Sequence, residues 1–136
     1  MREPTLAEAR ADEAHPAFSN LFVRATWRAA QQALLFERTP RLDSESRLLV
    51  AHFLAEGDPQ VLGLQLQADR QRWAGRNRAV SQPLAGLQAP PPDLDAGDAG
   101  VALDTGLDPM AALGLRLRLA PGAQVRLVFG TAASDQ

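Results

Sequence analysis

The stretch Leu113-Gly114-Leu115-Arg116-Leu117-Arg118-Leu119-Ala120-Pro121-Gly122-Ala123-Gln124-Val125-Arg126-Leu127-Val128-Phe129 decides the fold class of this chain. Leu113, Leu115, Leu117 and Leu119 alternate with Gly114, Arg116 and Arg118, the period-2 pattern of a strand with one face buried and the other wet. Pro121-Gly122 supplies turn chemistry: proline presets φ at the first central position, and glycine accepts the positive φ that a type II turn requires at the second. Val125, Leu127 and Phe129 then resume the alternation against Gln124, Arg126 and Val128. The pattern predicts a β-hairpin over this stretch, with Arg116, Arg118 and Arg126 on its solvated face.

Outward from the hairpin, further short segments carry strand composition. Residues 21–27 read Leu-Phe-Val-Arg-Ala-Thr-Trp, rich in aromatic and β-branched side chains that suit a pleated surface. Residues 47–55 and 61–68 are similar, the latter with Leu62, Leu64 and Leu66 on one face and Gly63, Gln65 and Gln67 on the other. Over residues 29–37 a helix competes, because Ala-Ala-Gln-Gln-Ala-Leu-Leu has high intrinsic helix propensity. Turn signals interrupt the chain at Thr39-Pro40, Gly57-Asp58-Pro59, Pro83 and Ala89-Pro90-Pro91-Pro92-Asp93. Short strands at such spacing predict an all-β fold, an antiparallel β-sandwich with room for one short helix. Residues 83–100 hold little that could fill a core and are expected to form an exposed loop.

A length of 136 residues, 46% hydrophobic and 22% charged, suits one domain with its own core and is too short for two. The 14 basic and 16 acidic residues give a net charge of -2, and Glu8, Asp12, Glu13, Glu45, Glu56 and Asp58 precede the most basic segment. Duplex binders draw affinity from many phosphate contacts, so this balance argues against a nucleic-acid partner. Cysteine is absent, which removes disulfides and thiolate metal sites. His15 and His52 show no ligand spacing, and no metal or cofactor is expected. No apolar run is long enough to cross a bilayer and Met1-Arg2-Glu3-Pro4 does not open a signal peptide, so direct membrane insertion is not expected.

The densest chemistry lies in Asp69-Arg70-Gln71-Arg72-Trp73-Ala74-Gly75-Arg76-Asn77-Arg78, with four arginines around one of two tryptophans. Asp69, Arg70 and Arg76 can be read as the edge of a sugar-binding cleft, hydrogen-bonding hydroxyls or steering a phosphate. Asp69 and Arg70 can equally close a loop by pairing with backbone and with each other. Trp73 can stack its flat face on a pyranose ring or serve as a core residue. Other catalytic patterns lack support. His15 has no identifiable carboxylate partner and is expected to order a turn, and Ser19 has no histidine and acid at readable spacing. Asp93, Asp95 and Asp98 sit in a proline-rich loop that cannot hold the fixed separation of a glycosidase pair.

Three segments together resemble a known family: His15-Pro16-Ala17-Phe18-Ser19-Asn20-Leu21-Phe22, then Ala68-Asp69-Arg70 through Gly75-Arg76, then Leu107-Asp108-Pro109-Met110 leading into the final strands. In order and spacing they are similar to the N-terminal β-sandwich of the glycoside-phosphorylase module of cyclic β-1,2-glucan synthases, a module related to cellobiose and chitobiose phosphorylases. The resemblance covers residues 6–133 and implies a supersandwich of the galactose mutarotase-like type. In that family the sandwich precedes a helical barrel bearing the catalytic acid and the phosphate site, and a membrane-embedded glycosyltransferase lies earlier in the synthases. The resemblance therefore implies a detached sandwich with no catalytic residues of its own. Its partners would be that barrel and a β-glucan oligosaccharide, and its parent would belong to the bacterial inner membrane with this module in soluble space. Sugar contacts would fall on Asp69, Arg70, Trp73 and Arg76. Departures occur at Gln67-Ala68, where Glu-Thr is usual, at Trp73, where phenylalanine is usual, and at Arg24-Ala25-Thr26-Trp27, where the family is commonly more acidic.

Two function classes follow. One is a noncatalytic sandwich module framing the sugar site of a glucan-processing enzyme. The other is an independent carbohydrate-binding or purely structural interaction module. An apolar patch exposed on the sandwich would favour the first, since isolated monomers seldom leave such patches uncovered.

Overall fold

A computed structural model describes residues 20–40, 45–75, 88–91 and 99–135. Its named elements run β1 (Val23–Arg28), β2 (Ala33–Arg38), β3 (Leu48–Glu56), β4 (Val61–Asp69), α1 (Arg70–Ala74), β5 (Val101–Leu103), β6 (Pro109–Leu117) and β7 (Val128–Asp135). They form a five-stranded antiparallel sheet in the order β5-β1-β2-β3-β7 and a two-stranded antiparallel sheet of β4 and β6. Among the described residues the fold is all-β with one short helix, as the strand patterning predicts.

The core lies between the sheets, and alternation fills it. Val23, Ala25 and Trp27 of β1 and Leu34 and Phe36 of β2 point inward, against Leu66 and Ala68 of β4 and Ala111 of β6. Leu34 and Phe36 are fully buried, which follows from β2 lying at the centre of its sheet. Leu48 and Val50 of β3, Leu103 of β5 and Leu113 of β6 close the margins. At about 25 cal/mol per Å² of apolar surface, this interlayer is the main favourable contribution to folding. The opposite face of the large sheet carries Arg24, Thr26 and Arg28 of β1, Leu35 and Glu37 of β2, and Leu49, Ala51 and Phe53 of β3, as the pairing register requires.

Over residues 29–37 the helical alternative gives way. Gln32 N–H donates to the Ala29 carbonyl at 3.1 Å, and Gln32 takes a left-handed φ of 48°, which turns the chain back into β2. Pairing on both sides, with β1 and β3, outweighs the few tenths of a kcal/mol per residue that helix propensity offers.

The predicted hairpin is also corrected. Pro121-Gly122 does form a turn, with Gly122 at φ 78° and Ala123 N–H donating to the Ala120 carbonyl at 3.0 Å. It does not join paired strands: β6 pairs with β4, whereas β7 pairs with β3 in the other sheet. Residues 118–127 are a crossover between layers. A turn of the type that proline-glycine favours splays flanking strands against their natural twist, so it suits a crossover better than a tight hairpin. Arg118 N–H donates to the Gln60 carbonyl at 3.0 Å and Gln60 Nε2 to the Gln124 carbonyl at 3.2 Å, pinning the crossover beside the β3–β4 turn. Arg116, Arg118 and Arg126 are exposed, but Arg126 faces Glu56 at 3.8 Å rather than β6.

On β4, Leu62 is exposed and falls beside a register shift between Val61 and Gly63, while Leu66, Gln67, Ala68 and Asp69 are all buried. The predicted two-faced strand therefore becomes buried on both faces at its C-terminal end. Within the expected loop over residues 83–100, Gln88 exchanges two backbone hydrogen bonds with Leu66, at 2.8 and 3.0 Å. Most of that loop lies outside the described residues. Among the described residues, no helix is long and apolar enough to cross a membrane.

Candidate functional site

The corner where β4 passes into α1 is built from the motif that sequence singles out. Asp69 is the N-cap of α1: its Oδ1 accepts from Gln71 N–H at 2.8 Å and from Arg72 N–H at 3.4 Å. A helix of five residues has no independent stability, so caps must hold it. Gly75 closes the other end at φ 75°, its N–H donating to the Gln71 carbonyl at 2.9 Å. Just before the cap, buried Gln67 Oε1 accepts from Ala68 N–H and Asp69 N–H, both at 3.1 Å. This bend needs an acceptor and not a charge, which is why glutamine serves where the resemblance leads one to expect glutamate.

Partners come from the loop between β5 and β6. Arg70 donates its backbone N–H to the Asp108 carbonyl at 3.0 Å, and its Nε meets Asp108 Oδ1 at 3.0 Å. Arg72 bridges Asp104 through Nη2 at 2.5 Å and Asp69 through Nε at 3.5 Å. Asp104 Oδ1 also accepts from Gly106 N–H at 2.9 Å. Gly106 has φ 55°, and a Cβ there would lie 2.8 Å from Asp69 Oδ2. Asn20 Nδ2 donates to the Leu107 carbonyl at 3.0 Å, tying the chain ahead of β1 to the same loop.

The result is an interlock of two arginines and three aspartates between the two layers. Asp69 does not pair with Arg70 as the loop-closing reading expects; it binds α1 and Arg72, while Arg70 binds Asp108. Trp73 is half-buried on the same helix, and the core tryptophan is Trp27. Arg76 lies outside the described residues, as do His15, Ser19, Asp93, Asp95 and Asp98. Asp104, Gly106 and the structural role of Gln67 escape sequence reasoning. Asp104 lies 32 residues from Arg72 and Asp108 lies 38 from Arg70, separations that no local motif encodes. Chemically, the carboxylates are engaged in capping and ion pairing, so what the corner turns to solvent is donors: the exposed Gln71, and Arg72, which keeps 52% of its side chain exposed while paired with Asp69 and Asp104. Among the described residues no cluster of histidine and carboxylate could hold a metal ion.

A second feature lies on the outer face of the large sheet. Ala33, Leu35, Ala51 and Phe53, with Arg28 and Gln31, line a shallow, mainly apolar concavity of about 460 Å³. The Phe53 ring lies across Gly130, where a Cβ would come within 2.6 Å of it. Arg24 and Arg28 share this face, while Glu37 is held by Arg47 at 2.7 Å; that hydrogen bond and the charge of Glu37 raise the pKa of Arg47 above its usual value.

A family model for the supersandwich domain of glycosyl hydrolase 94 matches residues 1–136. The chain is 28% identical over 132 residues to the cyclic beta-(1,2)-glucan synthase NdvB of Rhizobium meliloti (strain 1021), an alignment covering 97% of this chain and 4% of that protein. The chain thus corresponds to a small fraction of the length of this curated relative.

Proposed function

The chain belongs to the glycosyl hydrolase 94 supersandwich family, and from that premise we propose that it is a noncatalytic, carbohydrate-associated sandwich module. In this reading it packs against a catalytic helical barrel, and its β4–α1 corner frames a sugar site that the barrel completes. One observation carries the reading: both Asp69 oxygens are committed, Oδ1 to the helix N–H groups and Oδ2 to Arg72, so the most acidic part of the corner serves as scaffold. What the corner offers a ligand is the exposed Gln71 and the solvent-facing part of Arg72, whose Nε and Nη2 already meet Asp69 and Asp104; both are donors suited to hydroxyls or phosphate. The apolar concavity with Arg28 at its rim supports packing against a larger partner, since such a patch favours burial. The name of the relative supports β-1,2-glucan as the sugar class. The same reading puts the module in soluble space beside the membrane-embedded part of a parent enzyme.

Isothermal calorimetry with β-1,2-glucan oligosaccharides tests this. The chain alone is expected to give no heat at millimolar sugar and no phosphorolysis. Linked to the helical region encoded downstream in a parent reading frame, it is expected to bind, and Arg72→Ala to weaken that binding about tenfold. Saturable heat from the chain alone would favour an independent carbohydrate-binding module instead.

A further inference from the structure

Arg72 and Asp104 meet at 2.5 Å with 52% and 59% of their side chains exposed. Neither group is exhausted by the contact. A guanidinium carries five N–H donors. Arg72 commits Nη2 to Asp104 and Nε to Asp69, which leaves Nη1 without a hydrogen bond among the described residues. A carboxylate has two acceptor positions on each oxygen. Asp104 uses one position on each, Oδ1 for Gly106 N–H at 2.9 Å and Oδ2 for Arg72. Gly106 anchors the carboxylate and Asp69 anchors the guanidinium, so the pair holds an acceptor and a donor side by side at the surface. The exposed Gln71, one residue earlier on α1, adds an amide that donates and accepts.

We propose that the Arg72–Asp104 pair is the sugar-contacting part of the β4–α1 corner and that it selects a neutral vicinal diol over phosphate. Asp104 accepts from one hydroxyl while Arg72 donates to its neighbour. The proposal rests on the reading of the corner as the edge of a sugar site, and it decides which ligand that edge takes. A hydroxyl both donates and accepts, so two adjacent hydroxyls match a fixed acceptor beside a fixed donor, and both bonds are charge-assisted. Phosphate at neutral pH is an anion and chiefly an acceptor: it satisfies Arg72 but sets its charge against Asp104. The whole corner opposes it in the same way. Among the described residues the carboxylates of Asp69, Asp104 and Asp108 outnumber the guanidiniums of Arg70 and Arg72 by one. Anions find less opposed cations elsewhere, since Arg116 and Arg118 on β6 are exposed and make no ion pair among the described residues.

Amide NMR spectroscopy of the unsubstituted chain, titrated separately with a β-1,2-linked glucose disaccharide and with inorganic phosphate at matched ionic strength, is the test. The side-chain amide of Gln71 and the backbone N–H of Gly106 report on the corner, the latter because Asp104 is its acceptor. Both signals are expected to shift with the disaccharide, half-saturating at roughly 10–100 mM, too weak to give heat at millimolar sugar, and to stay in place in phosphate. Asp104→Asn keeps an acceptor for Gly106 but removes the charge. It is expected to raise the half-saturating disaccharide concentration about tenfold and to let phosphate shift the Gln71 signal. Arg72→Ala is expected to abolish the response to either ligand. Unchanged amide signals away from the corner verify that each variant is folded. A disaccharide response that Asp104→Asn leaves intact while Arg72→Ala removes it would overturn the proposal and leave the corner as a sugar edge made of donors alone. Phosphate acting on the unsubstituted chain at lower concentration than the disaccharide would also overturn it. So would silence of both signals toward the disaccharide, whereas sugar binding by the linked chain that Arg72→Ala weakens would still uphold the corner reading.

Discussion

Gly106 shows how closely one residue can be fixed by its neighbours. Its φ of 55° disfavours any side chain, and a methyl group would also meet the Asp69 carboxylate at 2.8 Å. Gly106→Ala is therefore expected to destabilise the chain by about 1–3 kcal/mol, read as a fall in the denaturant midpoint without a change in slope. Gln67 is a different case, because its Oε1 serves two buried backbone N–H groups. Gln67→Leu, of similar size, strands both donors and is expected to cost about 2–4 kcal/mol in the same assay. Asp69→Ala removes the helix cap and is expected to cost about 1–2 kcal/mol, with Asp69→Asn recovering most of that loss. Only part of this site could be read from the sequence. The density of charge around Asp69 and Arg70 marks the corner, because charge density is a local property. Asp104, Asp108 and Gly106 are supplied by the fold, since they meet the corner only once β5 and β6 have joined different sheets.

At the scale of elements, alternation proved a reliable guide to where strands lie and a poor guide to what they pair with. β1, β3 and β4 fall within a residue or two of the segments that composition marks. β2 is the informative case, because propensity left a helix in competition there: its helix-favouring residues form a strand since a central position completes two ladders and buries Leu34 and Phe36 entirely. Phe36→Ala is expected to cost about 3–5 kcal/mol, seen in thermal melts followed by the fluorescence of Trp27, which packs in the same cluster. The misplaced hairpin has the same origin. Leu113 to Phe129 contains two strands and a turn, but the partners that decide topology, β4 and β3, lie far upstream, 49 residues away in the Gln65↔Gly114 pairing and 75 in the Leu54↔Phe129 pairing.

For the whole molecule, the two sheets present two different surfaces, a polar corner at β4–α1 and an apolar outer face floored by Phe53. Substituting Leu35→Asp in that concavity is expected to leave the stability of the isolated chain within about 1 kcal/mol, since the side chain lies outside the interlayer, while abolishing association with a helical barrel in a pull-down. The crossover through Pro121-Gly122 bears on how the chain reaches its fold. Because β6 and β7 follow each other in sequence yet complete different layers, neither layer can close from a contiguous stretch of chain. The contact order is high, no local hairpin at this end can seed the structure, and the entropy of closing long loops must be overcome before either sheet yields its stabilisation. Refolding should therefore take milliseconds to seconds, and cleavage at the crossover should unravel both layers together.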